Sequence, residues 1–325
     1  MSAAQRLLKV LPRSVPFVDY RDVEWEQVRR AQYWMYQRFR YEYPGPIQNL
    51  HQRLIVVPGK KHGSQVLTGH KLKVNNPEVS IRQSRDNFNN LVYEVDVPHV
   101  ESTVDFEVWS SVERIIEADN YPVISSDKVK QFLEPTTLTT PDSALQHAAS
   151  FLSQCTDNPW QLAESINDWV WKTMRYTGGI TTVNTTAAEA LRLGQGLCQD
   201  YSHIMLTICR LVGLPARYVS GHLLGEGGSH AWLEVFLPAH NGTDRIAVAY
   251  DPTNHCRAGG NHITVAVGRD YRDVAPTSGY YTAPYSGKLI TSKQAGLIMV
   301  GYKDGEVISM DERDLTPADK ARRIA

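Results

Sequence analysis

The spacing of apolar residues changes along the chain, and the first change falls near residue 41. Before it, a rough helical stripe ends ahead of Tyr43-Pro44-Gly45-Pro46. Its members are Val23, Val28, Ala31, Trp34 and Met35. The pattern predicts an N-terminal helix or extended arm over residues 1–40. We expect its many aromatic side chains to pack against the next domain, because aromatic residues dominate cores and interfaces.

Within a predicted domain of residues 41–117, the apolar residues alternate with a period of two from about Ile47 to Arg114. Short β-branched segments are separated by turn formers such as Pro58-Gly59 and Asn75-Asn76-Pro77. The predicted strands are Leu54–Val57, Val66–Val74, Leu91–Val97 and Val104–Val112. This pattern indicates an antiparallel β domain, either sandwich-like or an open barrel. It contains no grouped side chains at catalytic or metal-ligand spacing, so we expect it to be structural or to orient substrate.

A segment rich in proline, serine and threonine, residues 118–144, predicts a linker to a second domain over residues 145–310. Asn158-Pro159 is typical of a helix start, and Thr186 with Glu189 fits a capping box. A further helix is predicted from Cys198 to Val212, where Gly213-Leu214-Pro215 stops the pattern. Residues 311–325 are charged and predict a loose C-terminal tail.

After this helix the period returns to two, which predicts an antiparallel sheet. The expected strands cover residues 217–222, 230–236, 246–250, 263–267 and 297–302. Helices and an antiparallel sheet in one domain indicate the α+β class.

Composition argues against some classes of partner and some compartments, but it does not identify the function. The 34 basic and 35 acidic residues of the 325 nearly cancel, so no strong field attracts nucleic acid or an anionic membrane. The start of the chain is interrupted by Lys9, Pro12 and Arg13, unlike a signal peptide, and no apolar stretch is long enough to span a bilayer. The 4 cysteines have no paired spacing. We therefore expect a cytoplasmic protein with no nucleic-acid or membrane partner.

Cys198 is the first candidate for chemistry. It follows Gly194-Gln195-Gly196 and begins a predicted helix, where unpaired N–H groups and the helix dipole stabilise a thiolate or a developing oxyanion. From this stretch alone, a nucleophile and a buried core residue are equally good interpretations, because most free cysteines fill cores.

Two further residues complete a possible nucleophilic site. His230 opens one predicted strand and Asp251 ends the next, and neighbouring antiparallel strands can bring such residues side by side. A thiolate, an imidazole and an orienting carboxylate form the set that acyl transfer uses. His203 is the weaker candidate base, because a residue so close along the same helix points away from its N-terminal tip.

Three blocks of sequence resemble the bacterial transglutaminase-like superfamily of cysteine proteases. They are Gly194–Tyr201 with Ala187 and Glu189 upstream, Ser229–Val235, and Tyr250–Asn254. Residues Gly268–Pro276 resemble a further block, and residues 39–113 are similar to the family's N-terminal β domain. The resemblance implies a papain/transglutaminase-like core after an all-β N-terminal domain. One departure is Asn89, where the family's turn has glycine; asparagine tolerates the left-handed backbone that such a turn needs.

By this resemblance Cys198 is the nucleophile, His230 the general base and acid, and Asp251 the orienting carboxylate. The oxyanion hole is expected to include the backbone N–H of Cys198. Gln195 and Tyr176 are alternative second donors. For Asp200 we rank capping of the helix ahead of binding a substrate amine, and for Trp232 packing ahead of shielding His230 from water.

These residues leave several functions open. Hydrolysis of a peptide or amide is the first choice, transfer of the acyl group to an amine the second, and a non-catalytic binding module the alternative from another class. The expected partner is a peptide or protein substrate, and the oligomeric state is open. His255, Cys256 and His262 form the densest group of possible zinc ligands, but their spacing fits no common zinc motif. We expect no metal and no cofactor.

Overall fold

The chain builds most of its N-terminal half from long strands. The computed structural model describes residues 3–116, 123–124, 129–239 and 244–310. A short helix, α1, precedes two 3-10 turns (Tyr20–Asp22, Trp25–Gln27) and is followed by the strands of the N-terminal region. The elements are α1 Ala3–Val10, β1 Val28–Glu42, β2 Ile47–Leu54, β3 Lys61–His62, β4 Gln65–Val74, β5 Ser80–Arg85, β6 Leu91–Val100 and β7 Thr103–Ile115.

The second half combines helices with shorter strands. After β8 (Val123–Ile124) and two 3-10 turns (Lys130–Phe132, Thr137–Thr139), its elements follow one another to residue 309. They are α2 Ser143–Ser153, α3 Pro159–Thr173, β9 Arg175–Tyr176, α4 Ala187–Leu193, β10 Gln195–Gly196, α5 Cys198–Leu211, β11 Ala216–Leu223, β12 His230–Pro238, β13 Arg245–Asp251, β14 Cys256–Arg257, β15 His262–Gly268, α6 Tyr271–Val274, β16 Thr277–Thr282, β17 Lys288–Tyr302 and β18 Val307–Ser309.

The strands form two sheets in the N-terminal region and one in the core. A six-stranded sheet has the order β18-β17-β1-β7-β4-β3, and a four-stranded sheet has the order β16-β2-β6-β5. The core sheet runs β14-β13-β12-β11-β15, with β8 beside β13. Their pairings are antiparallel, and only the short pair β9-β10 is parallel within the described residues. This all-β region before an α+β core is the fold class that the sequence predicts.

The prediction of a helix or arm over residues 1–40 is wrong for its second half, which is the strand β1. Consecutive residues of β1 are buried on both faces, with Tyr33 and Met35 in one apolar cluster and Trp34 and Tyr36 in another. A central strand that is buried on both sides has a near-continuous apolar run. Such a run imitated a helical stripe because periodicity alone does not separate the two.

The last predicted strand also has a different partner from the one expected. Residues 297–302 belong to β17, which pairs with β1 (Val300 opposite Ala31) and not with the core sheet. β16 likewise pairs with β2. The C-terminal strands therefore return to the N-terminal region and cross the predicted boundary of a second domain at residues 145–310.

The other predicted segments agree more closely. β4, β6 and β7 match three predicted strands, whereas the expected strand at Leu54–Val57 lies earlier, as β2. Asn89 has a φ of 67°, so it takes the left-handed conformation expected of it. Of the predicted linker 118–144, residues 118–122 and 125–128 lie outside the described residues, as does the whole tail 311–325.

Helix α5 forms the centre of the core. Nearly every residue from Asp200 to Arg210 is buried, because α5 packs against β12 on one side and against α2, α3 and α4 on others. Its apolar residues share one cluster with the inward face of β12, Ala231, Leu233 and Val235. None of the helices in the described part of the chain is long and apolar enough to cross a membrane.

Candidate active site

Local structure places Cys198 at the first position of α5. Helix α4 begins at the capping box of Thr186 and Glu189 and ends at Gly194, whose φ of 63° is left-handed. β10 then runs parallel to β9 and leads directly into α5. The backbone N–H of Cys198 is one of the groups that a helix does not pair internally, so it is available to a ligand.

Asp200 fixes this helix start. Its carboxylate accepts hydrogen bonds from the backbone N–H of Leu197 and from the hydroxyl of Thr181, both at 2.7 Å. Gly196 makes room for it, because a Cβ at that position would overlap the Asp200 side chain. The carboxylate therefore acts as a cap, the role ranked first from the sequence.

His230 begins β12, and its Nε2 lies 2.7 Å from Oδ2 of Asp251 at the end of β13. Both side chains are buried. The other oxygen of Asp251 accepts from the backbone N–H groups of Thr253 (3.0 Å) and Asn254 (3.2 Å). The Asn254 side chain adds a third donor at 2.8 Å, on Oδ2. These donors hold the carboxylate toward the imidazole.

The electrostatics of this pair determine which nitrogen of His230 carries a proton. Burial alone would raise the pKa of Asp251, but hydrogen bonds from His230 and His262 outweigh it and lower the pKa. Asp251 is therefore a carboxylate and only accepts hydrogen bonds. It follows that Nε2 of His230 carries a proton and donates to it.

The opposite nitrogen of His230, Nδ1, is directed toward Cys198 and Glu226. Oε2 of Glu226 lies 3.3 Å from it, and no aligned hydrogen bond to Nδ1 forms within the described residues. Burial disfavours a charged ring, but the interactions of the imidazole with Asp251, Cys198 and Glu226 outweigh it and raise the pKa of His230. The atom facing the thiol is thus free to exchange a proton with it.

The remaining candidate residues differ in their contacts with the triad of Cys198, His230 and Asp251. Trp232 is buried and stacks on His230 with ring centroids 6.0 Å apart, so it forms a wall behind the imidazole. Tyr176 is 56% exposed, and its pKa is raised by burial of part of its ring and by the charge of Cys198. The side chain of Gln195 accepts from Arg175 at 2.6 Å through Oε1, and this contact does not use its NH₂ group. Tyr176 and Gln195 therefore both remain alternative oxyanion donors.

Two other sets of polar residues considered from the sequence are His203 and the possible zinc ligands at residues 255–262. His203 is buried, receives the N–H of Tyr271 at 3.3 Å, and has its pKa lowered to about 3 by burial. The group of possible zinc ligands at residues 255–262 is divided: His255 is partly exposed and stacks on Trp171, whereas His262 is buried.

His262 is a residue that the sequence did not identify as a neighbour of the candidate triad. Its Nε2 lies 3.1 Å from Oδ2 of Asp251, so one carboxylate oxygen serves two imidazoles. Burial lowers the pKa of His262. Only strand register reveals this contact: β11 pairs with both β12 and β15, with Gly221 opposite His230 and Leu223 opposite His262. Asn254 is a second partner of Asp251 that the sequence analysis did not identify. The Asp-x-x-Asn spacing of the two residues is the signal that could have found it.

Comparisons with known proteins identify the family of this chain. The profile of the transglutaminase-like superfamily matches residues 146–252, and that of the bacterial transglutaminase-like N-terminal region matches residues 33–113. The uncharacterized protein ML0607 of Mycobacterium leprae is 30% identical over 207 residues, which cover 58% of this chain and 71% of that protein. The chain belongs to the transglutaminase-like superfamily.

Two further matches differ in how much of the matched protein they cover. An uncharacterized protein of Mycobacterium bovis, Mb2599c, is 34% identical to this transglutaminase-like chain over 121 residues, 34% of this chain and 38% of that protein. A solved structure, described as a proposed cysteine protease from Cytophaga hutchinsonii, covers 89% of this chain and 97% of its own, with a TM-score of 0.69 and 19% identity. At that identity the likeness concerns the fold.

Proposed function

We propose that this protein is a cysteine-dependent acyl-transfer enzyme that uses Cys198, His230 and Asp251 and hydrolyses a peptide or amide bond. One observation carries the proposal: Nε2 of His230 is held by the buried Asp251, and the same imidazole interacts with Cys198 at the tip of α5. We infer that Nδ1, the nitrogen opposite Asp251, faces the thiol. A fixed tautomer and a nucleophile at a helix start are what this chemistry requires.

The proposed reaction has two halves. In the first, the Cys198 thiolate attacks the carbonyl carbon, the nitrogen of the scissile bond takes the proton from Nδ1 of His230, and the amine leaves a thioester behind. In the second, water attacks the thioester, gives its proton to Nδ1, and releases the acid and the thiolate. Asp251 keeps Nε2 protonated throughout and stabilises the imidazolium form.

Charge on the substrate oxygen needs donors that are already in place. The N–H of Cys198 supplies one, since the helix start leaves it unpaired. Tyr176 is our candidate for the second, because the charge of Cys198 contributes to the raised pKa of its hydroxyl.

The surface around Cys198 favours a peptide with apolar side chains. Exposed apolar residues lie in the segment between α3 and α4, namely Tyr176, Ile180 and Val183. That segment is tied to the start of α5, because Thr181 donates to Asp200 and Gln199 donates to the carbonyl of Val183 at 3.2 Å. Exposed apolar groups beside a nucleophile are a plausible binding surface for substrate side chains.

The test begins with the thiol itself. Iodoacetamide at neutral pH is expected to label Cys198 faster than Cys155, Cys209 or Cys256, as read by mass spectrometry of the digested protein. Equal labelling, together with unchanged activity in Cys198→Ala, would favour the non-catalytic binding module and end the enzyme proposal.

A second measurement separates hydrolysis from transfer. A peptide library is incubated with the enzyme in the presence and absence of a primary amine, and the products are identified by mass spectrometry. Hydrolysis gives acids in both arms, whereas a transglutaminase gives amine adducts when the amine is present. Products must be absent with Cys198→Ala.

A further inference from the structure

We propose that His230, Asp251 and His262 bind one Zn²⁺ ion, and that this ion inhibits the enzyme by occupying the nitrogen of His230 that faces Asp251. The binding claim concerns only these three side chains. The inhibitory claim rests on the proposed function, because it needs His230 to act as the base.

The three ligand atoms already form a tight group. Nε2 of His230, Oδ2 of Asp251 and Nε2 of His262 all lie within 4.8 Å of one another. The two nitrogen–oxygen distances are 2.7 Å and 3.1 Å. Tetrahedral zinc with bonds of about 2.0–2.2 Å places its ligand atoms about 3.3–3.6 Å apart, so both imidazoles must move slightly away from Asp251 to admit the ion. Two imidazoles and one carboxylate are a common set of ligands for zinc, with water as the fourth.

The surrounding groups suit the metal-bound form of each side chain. A histidine that binds zinc through Nε2 carries its proton on Nδ1 and donates it to a second group. Oδ1 of Asn261 lies 2.8 Å from Nδ1 of His262, and Oε2 of Glu226 lies 3.3 Å from Nδ1 of His230. Asp251 uses Oδ1 for backbone N–H groups, and its Oδ2, which also accepts from the Asn254 side chain at 2.8 Å, is the oxygen that faces both imidazoles.

His262 also has a partner for its metal-free form. The N–H of Gly259 lies 3.2 Å from the same Nδ1 and donates to it when that nitrogen is unprotonated. The ring therefore finds a hydrogen-bond acceptor in Asn261 when zinc is present and a donor in Gly259 when it is absent. Both tautomers are satisfied at one position, which lowers the cost of exchanging the proton for a metal.

A cavity gives access to this group from the side of His262. It has a volume of about 290 Å³ and lies between the N-terminal β region and the core sheet. Its lining includes His262, Trp232, Glu234, Arg114 and His62. Cys198 is not among the described residues that line it, so we infer that an ion enters on the side of His262.

The inhibition follows from the position of the ring proton. When the imidazolium form of His230 binds zinc, one proton leaves Nε2 for solvent and the remaining one stays on Nδ1. Nδ1 then has no lone pair for the proton of Cys198 or of water, and zinc prevents its neutral ring from becoming imidazolium. Neither half of the reaction proceeds until the ion leaves.

The experiment measures binding without an activity assay. The full-length, metal-free protein is titrated with Zn²⁺ by calorimetry against a chelator, alongside Cys198→Ala, His262→Gln, Asn261→Ala and the control His255→Gln, an exposed histidine outside the group. We expect one equivalent of zinc in the wild type, in Cys198→Ala and in His255→Gln. Binding should be lost in His262→Gln and weakened by about tenfold in Asn261→Ala, as is typical when a supporting hydrogen bond is removed.

Cobalt provides a second measurement in the unaltered protein, independent of whether variants fold. Co²⁺ is expected to give visible bands of a nitrogen and oxygen site and no thiolate charge-transfer band. Absence of a zinc equivalent, a thiolate band, loss of binding in Cys198→Ala, or full binding in His262→Gln would each overturn the proposal. Labelling of Cys198 is read separately, so failure of the zinc site leaves the proposed function standing.

Discussion

At the scale of single residues, Asp251 has little freedom to be replaced. Backbone N–H groups of Thr253 and Asn254 point at one of its oxygens, so an amide in its place must present its oxygen to them and its NH₂ group to the imidazoles. His230 would then accept at Nε2 and carry its proton on Nδ1, the wrong tautomer for a base. The backbone around residue 251 thus selects a carboxylate.

Asp251→Asn is therefore expected to slow the reaction of Cys198 with iodoacetamide at neutral pH by about tenfold or more, because the thiolate loses its imidazolium partner. The rate is measured by mass spectrometry over time. Asp168→Asn, at a partly exposed carboxylate that pairs with Lys172, is the control and should react like the wild type. If the two variants react equally fast, the tautomer argument is wrong.

His203 leads to a prediction about pH. Burial lowers its pKa to about 3, below its ordinary value of 6.5, so the unfolded state binds more protons than the native state between these values. Its contribution to stability is complete above pH 6.5 and is lost as the pH falls toward 3. At pH 5 the loss is about 2 kcal/mol, from 1.36 kcal/mol for each pH unit.

The check is urea unfolding at pH 5 and pH 7.5. His203→Gln is expected to be less sensitive to acid than the wild type by about 2 kcal/mol in the free energy of unfolding, because the glutamine does not titrate. An identical pH dependence in the two proteins would contradict the prediction.

At the scale of elements, the start of α5 depends on the absence of a side chain at residue 196. Gly196→Ala is expected to displace the Asp200 carboxylate from Leu197 and to lower the free energy of unfolding by about 1–3 kcal/mol, since overpacking and a lost cap act together. Gly178→Ala is the matched control, because a Cβ there meets no atom within 4 Å. Urea midpoints of the two variants should differ; equal midpoints would show that Asp200 tolerates the methyl group.

The same elements show what sequence patterns can reveal. Cap residues are local signals, so the start of α4 at Thr186 and its end at Gly194 follow from the sequence alone. Strand partners depend on residues far apart in the chain. The contact of His262 with Asp251 and the pairing of β17 with β1 therefore needed the structure. β1 lies where the sequence predicts a helix or extended arm, because burial on both faces removes the alternation that marks a strand.

At the scale of the whole molecule, a buried ion pair joins the N-terminal region to the core. Glu234 on β12 lies 2.6 Å from Nε2 of His62 on β3 and accepts from Arg217 at 2.7 Å. Burial raises the pKa of Glu234, but the charges of Arg217 and His62 outweigh it and lower the pKa to about 2. Glu234 therefore remains charged in the interior and needs both partners.

His62→Ala removes the partner supplied by the N-terminal region and leaves one oxygen of a buried carboxylate unpaired. We expect a loss of about 1–3 kcal/mol in the free energy of unfolding, the usual cost of such a group. Because the contact spans β3 and β12, amide hydrogen exchange should become faster in both sheets. His99→Ala, which removes an exposed pair with Glu101, is the control and should cost less than about 0.5 kcal/mol. If exchange rises in the N-terminal sheet alone, the ion pair does not couple the stability of the two regions.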